Sequence, residues 1–233
     1  FQRVDLIRAQ TLQFDGTESA WARPELEKAY LYGLTYPTVM KTFQNPITRE
    51  EFCVVVVKLY EKLTNNLVEA GPSPFSDTAN AEIVKAYSLG IVMGTGAGKF
   101  SPSLSITRQE IATMLYRTLD KAVSPLKPPN SADFPFSDKG KVAAWAMTSM
   151  SFAYQNNIMK GTSATTIDPL SNTTREQAIA LIKRTFEAFC PGSDVRAVLR
   201  MPSQAERQLT QEMKYSRTDW NGLLNAPVYD KRL

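Results

Sequence analysis

The sequence predicts an all-α fold: three tandem helix-loop-helix repeats whose second helices form a central three-helix bundle, followed by a C-terminal tail. Three observations predict it. First, a Thr-Arg-x-Glu/Gln tetrad leading into an apolar run occurs at Thr48-Arg49-Glu50-Glu51, Thr107-Arg108-Gln109-Glu110 and Thr174-Arg175-Glu176-Gln177. Second, upstream of each tetrad stands a residue that tolerates left-handed backbone, Gly33, Gly90 or Asn157, followed by apolar Leu34, Ile91 or Ile158. Third, positions three, six and seven after each Arg are apolar: Phe52, Val55 and Val56; Ile111, Met114 and Leu115; Ala178, Leu181 and Ile182. That spacing is one helical face, and three such faces turned inward make a bundle.

Length and composition bound the function. The 233 residues are 43% hydrophobic, enough for a core. No uncharged apolar run approaches the roughly 18 residues of a membrane span, so a soluble chain is expected. A start at Phe1 rather than Met is expected of a processed or trimmed product. The net charge of +4 and pI near 9.0 bias the chain mildly toward acidic partners. Basic runs are absent, which disfavours nucleic acid. The chain contains no His. That excludes Ser-His and Cys-His catalysis and His-ligated metals, leaving carboxylate or Lys chemistry. Cys53 sits four residues past its Arg and Cys190 fifteen past its own. For helices in register, that is roughly 16 Å of height at 1.5 Å per residue. No disulfide is expected, because a bridge needs Cα atoms within roughly 7 Å.

Taken in order, residues 1–13 form a lead-in, with Val4, Leu6, Ile7 and Leu12 able to dock on the body. The repeats span 14–65, 75–121 and 136–189, separated by Pro-rich linkers at 69–74 and 124–131. A Phe followed by an Asp opens each repeat, and Asp15, Asp77 and Asp138 are the expected N-caps of the first helices. Those helices stop at Gly33, Gly90 and Asn157. The third is expected to be longer than the second, since six more residues separate Phe136 from Asn157 than Phe75 from Gly90. The loops then carry Gly94 and Gly161, each fourteen residues before its Arg, and the anchors Phe43, Phe100 and Ile167. Repeat one has Pro37 in place of the Gly and a loop shorter by two, so it is the repeat expected to have lost ligand.

The second helices begin with a capping box. Thr48, Thr107 and Thr174 cap the third helical amide, and Glu51, Glu110 and Gln177 reach back. An Arg at the first helical position opposes the helix dipole, at a cost of a few tenths to about 1 kcal/mol. Two readings are open. The guanidinium and free amides together can receive a carboxylate or phosphate, or the Arg pairs with an internal Asp and braces the repeat. The tail, 190–233, repeats none of these signals. Short helices are expected at 194–199 and 204–215, with Trp220, Leu223 and Leu224 as docking residues. It wraps the body, meets another subunit, or leads into a further module.

The succession Phe75-Ser76-Asp77, helix, Gly90-Ile91-Val92-Met93-Gly94, Phe100-Ser101-Pro102, Ile106-Thr107-Arg108-Gln109-Glu110 resembles the S-layer homology family. Repeat three matches with Asn157 for the Gly; repeat one is degenerate; together they cover roughly 14–189. The resemblance implies a pseudo-threefold spindle whose grooves bind secondary cell-wall polysaccharide through a pyruvylated amino sugar. Such a module holds surface proteins on the bacterial envelope, is extracellular, and is neither an enzyme nor dependent on a cofactor.

Carried over residue by residue, the family's ligand residues are Arg108 with Gly94 and Arg175 with Gly161; Arg49 sits beside the altered loop. Lys41, Lys99 and Lys160 lie in or beside the loops and could add positive charge. A pyruvate ketal carries a carboxylate, and each charge-assisted hydrogen bond to it contributes about 1.5 to 3 kcal/mol. The Gly residues would let sugar approach the backbone. Two other classes stay in play. One is a protein-assembly scaffold derived from the same family. The other is a glycosidase with two carboxylates roughly 5 to 9.5 Å apart, although Glu110 and Asp77 are better explained as caps.

Overall fold

The structure, a computed structural model, describes residues 12–190. The lead-in and the tail therefore lie outside the described residues except at 12, 13 and 190. Among the described residues the fold is all-α. The helices are α1 (Arg23–Leu31), α2 (Arg49–Thr64), α3 (Ala81–Ser88), α4 (Arg108–Val123), α5 (Met147–Gln155) and α6 (Arg175–Phe189), with three short 3-10 turns. Both cysteines are free thiols.

The repeated helix starts follow from local chemistry. In α2 the Glu51 amide donates to Thr48 Oγ1 at 3.1 Å, and Glu51 Oε2 accepts from the Thr48 amide at 3.0 Å. In α6 the same box joins Thr174 and Gln177 at 3.4 and 3.3 Å. In α4 Glu110 Oε2 accepts from both the amide and the hydroxyl of Thr107, at 2.9 and 2.6 Å. The first helices end as their cap residues require: Gly33, Gly90 and Asn157 have φ of +70°, +72° and +57°. The amides of Leu34, Ile91 and Ile158 then reach back to Ala29, Ala86 and Ala153, which satisfies carbonyls the helix leaves open.

Packing links each repeat to its neighbours. The stripes of α2, α4 and α6 are buried, and these three helices touch one another pairwise. Each first helix packs on the second helix of the repeat before it: α3 on α2, α5 on α4, and α1 on α6. A closed circuit of backbone bonds sits at the helix starts. Ile47 donates to Thr173 O at 2.9 Å, Ile106 to Ile47 O at 3.2 Å and Thr173 to Ile106 O at 3.2 Å.

Two expectations about the first helices are corrected. The extra residues of repeat three do not lengthen its helix, since α5 has 9 residues against 8 in α3. They form 3-10 turns at Lys139–Lys141 and Ala144–Ala146 instead. Nor do Asp77 and Asp138 cap the first helices. Asn80 caps α3, accepting from the Glu82 amide at 2.9 Å, while α5 follows directly from a 3-10 turn. The physical reason is that both Asp residues are engaged with the loops.

Candidate functional site

Asp77 is the buckle of the second loop. Its two carboxylate oxygens accept from the amides of Phe100 and Ser101, both at 2.9 Å. Asp138 holds Ile167 and Asp168 in the same way, at 3.0 and 2.8 Å, and Asp15 accepts from Thr42 at 2.5 Å. The Phe100 amide is the main reason the Asp77 carboxyl lies below its ordinary range. For Asp138 partial burial pushes up, and the two loop amides outweigh it.

Gly94 and Gly161 serve the same closure. A Cβ on Gly94 would stand 2.6 Å from Lys99 O and 3.0 Å from the Phe75 ring. One on Gly161 would stand 2.8 Å from Thr166 O and 2.7 Å from the Phe136 ring. What each glycine admits is its own loop folding over the Phe that opens the repeat. Lys99, Lys160 and Lys41 are exposed beside these loops.

The first amides of the second helices are not free. Each is taken by a carbonyl of the next repeat around the circuit. Arg49 and Glu50 donate to Leu104 and Pro102 at 2.8 and 3.1 Å, and Arg108 and Gln109 to Ser171 and Pro169, both at 3.0 Å. Arg175 and Glu176 donate to Asn45 and Phe43 at 3.0 and 3.2 Å. With the next amide taken by its Thr in α2 and α6, an incoming acid meets guanidinium rather than helix N-terminus.

The guanidinium groups cross the same three junctions, so each Arg faces the loop of the following repeat. This shifts the sequence pairing by one repeat. Arg49 donates to Met93 O and Phe100 O at 3.2 and 3.1 Å, beside Gly94, and lies 4.8 Å over the Phe100 ring. Arg108 donates to Lys160 O and Ile167 O, both at 2.8 Å, beside Gly161. Arg175, not Arg49, meets the altered loop of repeat one, donating to Lys41 O at 3.1 Å and to the Thr42 hydroxyl.

The junctions differ in charge. Arg49 pairs with Glu110 at 3.0 Å and Arg175 with Glu51 at 2.5 Å. In both cases the partner is the capping-box Glu of the next repeat. At the third junction that position is Gln177, and no carboxylate among the described residues comes within 4.0 Å of Arg108. Arg108 is 7% exposed, and burial holds its guanidinium below the usual arginine range, opposed by the more distant charges of Asp168 and Asp138. A brace between Arg and an internal carboxylate is thus present at two junctions, but the acid is Glu rather than the expected Asp. Sequence reasoning missed Glu51 and Glu110 as partners, and Gln177 as the position without one. The signal was present: one Gln where the other two tetrads carry Glu.

The residue after each Arg completes the junction. Glu50 accepts from Asn80 Nδ2 at 2.8 Å, Gln109 from the Ala143 amide at 3.0 Å, and Glu176 from the Ser19 amide at 2.8 Å. Two residues beyond these contacts stand Glu82, Trp145 and Trp21; the tryptophans are 57% and 48% exposed.

Comparison with known proteins accords with this geometry. The sequence profile of the S-layer homology domain matches residues 74–112 and 135–179. The chain carries S-layer homology domains. Each match takes in the Phe-Ser-Asp opening and the Thr-Arg start of the second helix, which is the stretch that builds loop and junction.

Relatives place these S-layer homology domains in larger proteins. An endoglucanase of Bacillus sp. (strain KSM-635) is 30% identical over 176 residues, 72% of this chain and 18% of that protein. The cellulosome-anchoring protein of Acetivibrio thermocellus is 27% identical over 157 residues, 65% of this chain and 34% of that protein. The surface-layer 125 kDa protein of Lysinibacillus sphaericus is 28% identical over 112 residues, 48% of this chain and 9% of that protein. The chain thus spans about a third or less of these relatives. No helix among the described residues is long and apolar enough to cross a membrane.

Proposed function

We infer that this chain is a non-covalent anchoring module that binds an acidic glycan of the bacterial cell wall at the junctions between repeats. The proposed ligand is secondary cell-wall polysaccharide bearing pyruvylated amino sugar, and the proposed location is the cell surface. One observation carries this reading: Arg108 is a buried cation without a carboxylate partner among the described residues. Charge buried in this state is costly, and an external carboxylate offsets that cost. The S-layer homology domains, and relatives named for cellulosome anchoring and the surface layer, support the reading. The relatives' enzymatic names are not carried over, because this chain spans under a fifth of the endoglucanase.

Arg108, Arg175 and Arg49 are the proposed ligand-facing cations, with exposed Lys160 and Lys99 adding positive charge and Gly161 and Gly94 shaping the loops. A second reading, a protein-assembly scaffold at the cell surface with residues 190–233 meeting other surface-layer subunits, is favoured by the two neutralised junctions. Co-sedimentation of the chain with purified wall, before and after removal of pyruvyl groups, decides between them. The anchor requires binding that falls with pyruvyl removal and with Arg108→Ala; no sedimentation with the wall selects the scaffold, and undiminished binding in both arms rules out the proposed ligand and Arg108's role.

A further inference from the structure

We propose that the acidic glycan is received at one junction only, that between repeats two and three, and that Gln177 is the residue that selects it. This rests on the anchoring reading and deepens it.

The three junctions share one architecture: an Arg crosses to the next repeat and donates to its loop, and at two of them it also meets the side chain at the capping-box position of that repeat. At two junctions that side chain is Glu51 or Glu110, and the guanidinium is already neutralised. An incoming carboxylate there would have to displace an internal one that is tethered in place and costs no association entropy. At the third, Gln177 closes its helix cap as Glu does but contributes no charge. No carboxylate among the described residues therefore pairs directly with Arg108, and only the more distant Asp168 and Asp138 oppose its charge. Two of its nitrogens are held rigid by Lys160 O and Ile167 O, and Nη1 has no hydrogen-bond partner among the described residues. A cation so held is oriented before the ligand arrives, which lowers the cost of binding.

A second observation points to the same junction and to a sugar. Trp145, half-exposed, stands two residues from Ala143, whose amide is bonded to the residue after Arg108. An exposed indole offers an apolar face to a pyranose ring. The Arg49 junction has Glu82, ion-paired with Lys85 at 2.7 Å, at this place and so offers no aromatic face. The Arg175 junction has Trp21 but a neutralised Arg175.

The test exchanges the gate residues, using the 233-residue chain and calorimetric titration with wall-polysaccharide fragments carrying pyruvate ketals. The unmodified chain is expected to bind one equivalent. Gln177→Glu, which restores the residue type of the other two caps, is expected to weaken binding by about tenfold to a hundredfold. Glu51→Gln is expected to open the Arg175 junction and raise the stoichiometry to two. Thermal melts confirm that each variant is folded. Binding of two or three equivalents by the unmodified chain, or unchanged affinity in Gln177→Glu, overturns the single-junction proposal and leaves anchoring standing. Failure of every protein to bind pyruvylated fragments overturns both.

Discussion

Thr173 shows how much one hydroxyl can matter. It occupies the position that Ile47 and Ile106 hold in the other repeats, within the backbone circuit at the helix starts. It is fully buried, and its Oγ1 has no hydrogen-bond partner among the described residues. A buried hydroxyl left unpaired costs about 1 to 3 kcal/mol. Thr173→Val keeps the shape and removes that cost. The expected gain is about 1 kcal/mol, seen as a rise in Tm of about 2 to 4 °C by calorimetry. An unchanged or lower Tm would mean that the hydroxyl is satisfied in solution. Arg108 is the opposite case, a charged group whose missing partner is read here as function rather than as a defect. Neither could be told from its tetrad alone, because a Thr and an Arg look ordinary until their surroundings are known.

At the scale of elements, the loops are governed by the Asp that buckles them. Asp77 has its carboxyl lowered first by the Phe100 amide and then by Ser101, and Asp138 is lowered as well. A carboxyl lowered in the folded state contributes stability that is complete above its unfolded value, near 3.8, and is lost as pH falls through the folded value. Denaturant midpoints should therefore hold from neutral pH down to about pH 5 and decline below about pH 4. Asp77→Asn should be less stable at pH 7, because an amide nitrogen replaces one acceptor, and should show a shallower acid decline. An acid decline identical to that of the unmodified chain would remove Asp77 from this role. The assignment of these Asp residues as caps was the natural reading of the sequence. An Asp near a helix start caps by default, and only the folded loop shows its amides at 2.9 Å.

For the whole molecule, the order of packing matters more than the repeat boundaries. Since α1 lies on α6, the first described helix meets the last, and Leu26 and Ala29 of α1 are fully buried. Removal of everything after residue 130 deletes α5 and α6, uncovers α1 and takes one of the three inner helices. The truncated chain should lose its cooperative thermal transition by circular dichroism, although it retains two intact tetrads. A sharp transition in that truncation would show that the repeats fold independently. The ion pairs Lys183–Glu25 and Arg184–Glu25, at 3.0 and 3.4 Å, join the first and last helices and belong to the same closure.

The sequence by itself determined where the inner helices begin, which face of each is buried, and where the left-handed residues end the outer ones. Those signals act between groups a few residues apart, so the chain carries them wherever it goes. Only the tertiary structure decided which acid meets which arginine. Arg49 finds Glu110 across 61 residues and Arg175 finds Glu51 across 124, while Arg108 reaches the repeat that offers Gln177. Charge is neutralised through space, and the distances that govern it exist only once the repeats have closed on one another.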